Sequence, residues 1–141
     1  METAHTVDMK ILVVDDDPVA RLLIEATLKA TGHDVVSVSS AETAWENLAD
    51  RNIRIILADW WMPGMDGLEL CRRVRCRGGN YVYFILVTNQ SDSTENFRTS
   101  SSAGIDDYIT KPVQPSELRL RVDSARRVLE KRETERGGGP A

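Results

Sequence analysis

Five side chains in this sequence could make one reactive centre: Asp15 with Asp16, Asp59, Thr88 and Lys111. Three carboxylates brought close together repel one another, and at least one pKa rises unless a cation neutralises them. Oxygen ligands with no histidine or cysteine nearby select a hard cation, Mg2+ or Mn2+ rather than zinc. Magnesium keeps several waters and typically takes one or two carboxylates together with phosphate oxygens. A lysine beside such a site meets a trianionic group as a point charge. A threonine hydroxyl can donate to a phosphoryl oxygen. One aspartate is then free to act as nucleophile and form an acyl phosphate. These residue types describe a phosphate-plus-magnesium site, provided the fold brings them to one place.

The elements around them do that. Lys10-Ile-Leu-Val-Val-Asp15 is a short β-branched run, the pattern of a strand buried on both faces. Asp17-Pro18 supplies an N-cap and a first-turn proline, and Leu22, Leu23, Ala26 and Leu28 predict a helical stripe up to Gly32. Asp34 to Ser39 reads as a second strand, Ala41 to Arg51 as a helix capped by Ser40, and Ile53 to Asp59 as a third strand. Met62-Pro-Gly-Met-Asp-Gly67 is turn chemistry leading into a helix closed by Gly78-Gly79. Tyr81 to Thr88 is the fourth strand, and Asp92-Ser-Thr-Glu95 resembles a capping box for a fourth helix ending before Gly104. Tyr108 to Thr110 is a short fifth strand, Pro115 starts a final helix reaching Glu135, and Gly137 to Ala141 is a flexible end.

Strands alternating with helices five times over imply right-handed crossovers and a parallel sheet covered on both faces. The flavodoxin-like (βα)5 arrangement, α/β with strand order 2-1-3-4-5, is the expected architecture. In such sheets ligands bind at the carboxyl ends of the strands. Asp15 and Asp16 follow strand one, Asp59 ends strand three, Thr88 ends strand four and Lys111 follows strand five. Strand two ends in the uncharged Ser39.

Composition bounds what else the chain could be. Its 141 residues fit one domain, with residues 1–8 an N-terminal extension, 9–130 the domain and 131–141 a flexible tail or linker remnant. The net charge of −4 gives no support to nucleic-acid binding by the domain. Residues 117–136 hold seven Lys/Arg against five Asp/Glu, so the acidity is concentrated in the body. The longest apolar run, Tyr81 to Val87, is far short of the ~20 residues a membrane helix needs, and the N-terminus has no apolar signal core. Cys71 and Cys76, five apart on one helix, read as reduced thiols of a cytoplasmic protein.

Val13-Val-Asp-Asp16, Asp59-Trp-Trp-Met-Pro-Gly-Met-Asp-Gly67, the Thr88 strand end and Tyr108-Ile-Thr-Lys-Pro112 together resemble the response regulator receiver domain of two-component signalling. The resemblance covers about residues 8–130. It implies Asp59 as phosphoacceptor, with Asp15, Asp16, Asp59 and the main-chain carbonyl of Trp61 holding Mg2+. It implies contacts from Thr88 and Lys111 to the phosphoryl group, Thr88 and Tyr108 as switch residues, and a cis Lys111-Pro112 bond. The implied donor is a sensor histidine kinase or a histidine phosphotransfer protein. The implied outcome is a shift of the face formed by the fourth helix, fifth strand and fifth helix, changing partner or homodimer contacts. Such a protein is not an enzyme beyond its own phosphorylation and dephosphorylation.

Some positions depart from the pattern. Asn89 stands where the family usually has a small residue, and Asn89, Gln90 and Trp61 are expected to modulate the switch. Trp61 is expected to overhang the acceptor and shield the acyl phosphate from water. In the fourth predicted helix the only large apolar side chain is Phe97, which fits either a solvent-facing helix or one that reorders on phosphorylation. Asp15-Asp-Asp17-Pro-Val19 also fits the haloacid-dehalogenase phosphatases, with Asp15 as nucleophile and Asp17 as acid/base. That reading leaves Asp59 and its turn unused and has little room for a substrate cap. A degenerate receiver acting only as a binding module is a third reading, opposed by the intact set of acids, Thr88 and Lys111. Leu118, Val122, Ala125 and Leu129 form a stripe suited either to packing on the sheet or to a short pairing seam. Arg126 to Arg136 is either a link to an output domain or a solvated end.

Overall fold

The strands of this protein are short and mostly β-branched and apolar, and the first three are each followed by a segment that starts on a helix cap. In the computed structural model, which describes residues 9–89 and 102–137, these become β1 (Lys10–Val14), α1 (Pro18–Ala30), β2 (Asp34–Val38), α2 (Ala41–Asn47), β3 (Ile53–Asp59), α3 (Gly67–Arg77), β4 (Tyr83–Thr88), β5 (Asp107–Thr110) and α4 (Pro115–Gly137). The predicted fourth helix lies almost wholly outside the described residues, so α4 is the predicted final helix. The sheet is parallel with order β2-β1-β3-β4-β5, the expected flavodoxin-like arrangement. Asp17, Ser40 and Asp66 cap α1, α2 and α3, each accepting from a backbone N–H of the first turn.

Alternation along the strands sends side chains into two cores, one per face. Leu12, Val14, Ile56, Ala58, Phe84 and Leu86 pack with α2 and α3. On the other face Ile11, Val13, Ile55, Leu57, Ile85 and Val87 meet α1 and α4. Leu118, Val122, Ala125 and Leu129 are all buried in this second core, so the stripe is spent on the sheet and is not a pairing seam.

Some boundaries and one face differ from expectation. β4 starts at Tyr83, two residues late, because Tyr81 is held by polar contacts off the sheet. α2 ends at Asn47, with Leu48 as its C-cap. On α1 the inward residues are Ile24 and Leu28, while Leu22 and Leu23 are 65% and 44% exposed and Ala26 faces solvent. The helix meets the sheet through an i, i+4 pair, and the leucines fall on the flank away from it.

The edge of the sheet opposite the strand carboxyl ends is tied by arginines. Arg75 of α3 donates to the carbonyls of Gly104 (3.0 Å) and Val82 (2.7 Å) and to the Asp106 carboxylate (2.7 Å). Asp106 also accepts from the Phe84 N–H at 2.8 Å and from the Tyr81 hydroxyl. Burial, and then that bond, push the Tyr81 phenol up to about 12. Arg75 and Arg132 both stack on the Tyr81 ring, 4.6 and 3.9 Å from its centroid. The buried Arg54 donates to the Tyr81 carbonyl at 2.9 Å and pairs with Glu133 at 3.2 Å. These contacts dock the last turns of α4 on the domain, at least as far as Glu133. Arg75→Met would strand Asp106 and two carbonyls, and should lower the unfolding free energy by about 2–3 kcal/mol. A urea titration should show that loss as a lower midpoint with an unchanged slope.

Candidate functional site

The carboxyl ends of β1, β3 and β4 lie side by side because Val14 pairs with Ala58 and Asp59 with Val87. Asp15, next after β1, is buried, as is Asp59, the last residue of β3. Asp16 stands exposed on the loop, and a carboxylate oxygen of each of the three lies within 4.8 Å of the others. Asp15 is oriented on both sides. Its Oδ1 accepts from the Asp17 N–H at 2.9 Å, and its carbonyl accepts from Arg21 Nη1 at 2.8 Å.

Lys111 enters from the loop after β5, where its N–H donates to the Thr88 carbonyl at 2.7 Å and the Lys111-Pro112 peptide is cis. Its Nζ sits between two acids, 3.4 Å from Asp15 Oδ2 and 3.3 Å from Asp59 Oδ2. Burial works against its charge, but the two carboxylates outweigh burial and hold its pKa above the ordinary value. Burial lifts Asp59 from 3.8 to about 6; Lys111 opposes the rise, while Asp15 and Asp16 add to it.

Among the described residues Thr88 Oγ1 is buried with no hydrogen-bond partner, and the buried Asp15 Oδ2 is met only by the Lys111 ammonium at 3.4 Å. A buried polar atom left unmatched is costly, and one beside three acids marks where an outside group belongs. A hard divalent cation fits this donor set, which is carboxylate oxygen throughout. Asp15, Asp16 and Asp59 could hold it.

Not every predicted residue meets the acids. Tyr108 pairs with Leu86 one strand over and is half-buried against the α2/α3 core. Trp61, two residues past Asp59, lies flat on the buried Trp60, with centroids 5.0 Å apart and an interplanar angle of 7°, and stays 49% exposed. Asn89 lines a cleft of about 440 Å3 with Val19, Leu23, Lys111, Pro112 and Val113. Gln90 lies outside the described residues.

Three supporting residues escaped sequence reasoning. Gly67 opens α3 so close to β3 that a Cβ there would lie 2.4 Å from the Asp59 carbonyl oxygen. Glu42 of α2 accepts from the Met65 N–H at 3.0 Å, holding the loop that follows the acceptor, and this bond keeps its carboxyl below the ordinary range. Arg21 holds Asp15 by a bond to its carbonyl. The Asp66-Gly67 pair was visible as turn chemistry; nothing local signalled the contacts of Glu42 or Arg21.

Comparison with known proteins places this geometry. Residues 11–123 match the model of the response regulator receiver domain. The chain is 37% identical over 138 residues to the transcriptional regulatory protein AruR of Pseudomonas aeruginosa, covering 94% of this chain and 54% of AruR. It is 36% identical to a chemotaxis protein CheY homologue of Campylobacter jejuni, over 82% of this chain and 90% of the homologue. Among solved structures, a CheY-like receiver domain protein from Methanospirillum hungatei superposes with a TM-score of 0.79 at 30% identity, over 88% of this chain and 98% of that one. The chain thus spans about half the length of AruR and most of the two shorter relatives.

Proposed function

This chain belongs to the response regulator receiver domain family, and from that premise we propose that Asp59 accepts a phosphoryl group from a sensor histidine kinase or a histidine phosphotransfer protein. The family's members are signalling switches rather than enzymes acting on external substrates. The observation that carries the assignment is the Lys111 Nζ held between Asp15 Oδ2, at 3.4 Å, and the Asp59 carboxylate, at 3.3 Å, beside the buried Thr88 Oγ1, which has no partner among the described residues. The site has a nucleophile, a cation and a spare donor.

In the reaction an Asp59 oxygen attacks phosphorus, the donor's P–N bond breaks, and the departing imidazole takes up a proton. Asp15, Asp16, Asp59 and the Trp61 carbonyl would hold Mg2+ or Mn2+, which would supply neutralising charge for the phosphoryl transfer. Lys111 is already poised between two carboxylates. Once Asp59 carries the phosphoryl group as an acyl phosphate, the new anion replaces its carboxylate as the partner of Nζ. Thr88 Oγ1 then donates to a phosphoryl oxygen, gaining the bond it lacks. These few charge-assisted contacts bias a two-state equilibrium. Tyr108 turns inward, and the face containing β5 and α4 changes its partner or homodimer preference.

Residues 9–130 form the receiver unit in this reading, with 131–141 leading toward an output domain or ending the chain. The reading also places the protein in the cytoplasm, where a kinase can reach it. No helix among the described residues is long and apolar enough to cross a membrane.

Incubation with a small phosphodonor and Mg2+ tests the assignment. Intact mass should show one phosphoryl adduct that chelation prevents, and peptide mapping should place it on Asp59. An adduct on Asp15 would instead identify a phosphatase of the haloacid-dehalogenase type, and no adduct a binding module. Sizing with and without phosphoryl group tests the homodimer.

Trp61 stacks on the buried Trp60, which directly follows Asp59, and its half-exposed ring is the solvent-facing part of that pair. Trp61→Ala should therefore shorten the acyl phosphate lifetime several-fold by admitting water. The decay of adduct followed by mass after donor removal measures it, and an unchanged or longer lifetime refutes the shielding role.

A further inference from the structure

At the ends of α2 and α3, on the far side of the sheet from Asp59, lies a trough that the phosphoryl chemistry does not use. Two adjoining depressions, of about 390 and 370 Å3, share Trp45 and Arg77. Both are shallow and open to solvent. The first adds Leu48 and Arg51 to the wall, the second Arg73 and Cys76.

The cations here differ in how they are matched. Arg73 is neutralised by Glu69, 3.3 Å away. Arg51 and Arg77 have no carboxylate partner among the described residues. Arg77 is fixed in place by donation from Nη1 to the Leu48 carbonyl, and its Nε is buried with no partner. Burial, and then the neighbouring Arg51, hold the Arg77 guanidinium below its ordinary pKa. Gly79 leaves room for Arg51: a Cβ on that glycine would lie 3.2 Å from Arg51 Nη1. Glu46 is the trough's one lining carboxylate among the described residues, against three guanidiniums. An anion seated between Arg51 and Arg77 would relieve their repulsion, and guanidinium forks match phosphate oxygens in geometry.

The second part of the ligand follows from Trp45. Its indole is half-buried, backed by the α2/α3 core, and it borders both depressions. Such a ring is a platform for a flat aromatic group, and stacking on it tolerates any base. We propose that this trough binds a mononucleotide, its base on Trp45 and its phosphate between Arg51 and Arg77. The site sits at the opposite pole from the acids, so it can be filled whether or not Asp59 is phosphorylated.

The full chain labelled at its indole nitrogens should be titrated with GMP, AMP, guanosine and inorganic phosphate. Binding of GMP or AMP that moves the Trp45 indole resonance, tighter than either guanosine or phosphate alone, supports the site. Arg51→Glu alters an exposed side chain, and it should weaken nucleotide binding at least tenfold while the unbound spectrum stays folded. Arg51→Lys should restore part of the affinity. Nucleotide and phosphate binding equally well would overturn the base platform, and guanosine matching GMP would overturn the phosphate pair. No shift at Trp45, or no change with Arg51→Glu, would sink the proposal outright.

Discussion

Asp59→Asn takes up no phosphoryl group from a small donor in the presence of Mg2+, by intact mass, under conditions in which the parent protein is fully converted. The amide cannot act as the oxygen nucleophile, so the expected effect is complete loss rather than slowing. The same variant carries a stability signature. Burial lifts the folded-state Asp59 from 3.8 to about 6. A raised carboxyl binds its proton more tightly folded than unfolded, so the stabilising share is complete below pH ~4 and is lost as pH climbs to about 6. Above that, the parent holds a charge whose burial costs up to about 3 kcal/mol, from ~1.4 kcal/mol per pKa unit. That figure is already net of the Lys111 pair at 3.3 Å, which opposes the rise. Asp59→Asn should thus melt a few degrees higher than the parent at pH 8, and at nearly the parent's temperature at pH 4. A gap that is equal at both pH values, or larger at pH 4, would show that the raised pKa is not the cause. Phosphoryl uptake by the parent without saturating metal should likewise fall below pH ~6, because the protonated acid is a poor nucleophile.

Gly67→Ala is the second large effect, and here stability and chemistry fail together. The new Cβ would stand 2.4 Å from the Asp59 carbonyl oxygen and 3.1 Å from Leu86 Cδ1. The first obstacle is backbone of a central strand, which cannot rotate away as a side chain would. Either α3 lifts off the sheet or Asp59 shifts, and relief of the clash costs about 3 kcal/mol or more. A displacement near 1 Å at the nucleophile is enough to slow a positioned reaction ~100-fold. The urea midpoint and the rate of phosphoryl uptake should therefore fall in the same variant. Gly32→Ala is the control: it meets nothing within 4 Å, and at the end of α1, where φ is +89° and the Gly32 and His33 N–H groups close the helix on Lys29 and Leu28, an alanine costs only about 1–2 kcal/mol of local strain. If Gly67→Ala behaved like that control, the close approach of α3 to Asp59 would be of no consequence.

Most of the architecture was readable before any coordinates because its signals are local. The alternation of apolar runs with capped helices determines a parallel sheet, and the rule of carboxyl-end chemistry then puts Asp15, Asp59, Thr88 and Lys111 on one edge. What could not be read depends on partners far apart in the chain. Arg75 and Asp106 are separated by 31 positions and Arg54 and Glu133 by 79, and nothing in their own segments marks them as partners. Tyr81 looked like the first residue of a strand because it is aromatic and heads an apolar run. It serves instead as the plate between two arginines. Leu22 and Leu23 misled for the opposite reason: strong hydrophobicity suggested burial, yet the i, i+4 geometry of Ile24 and Leu28 selected the face that meets the sheet.

The C-terminal helix starts four residues after Lys111, beside the reactive edge, and its far turns are clasped at the opposite edge by Arg54, which pairs with Glu133, and by the Tyr81 ring under Arg132. At ~1.5 Å per residue its 23 residues make a rod about 34 Å long. A rod converts angle into distance. Tilting α4 by about 5° at the Lys111 end would carry Glu133 roughly 2–3 Å, from the geometry of an ideal helix. That travel is comparable to the whole 3.2 Å Arg54–Glu133 contact. A tilt of a few degrees at the reactive edge would therefore reach the clasp as a displacement the size of the contact itself.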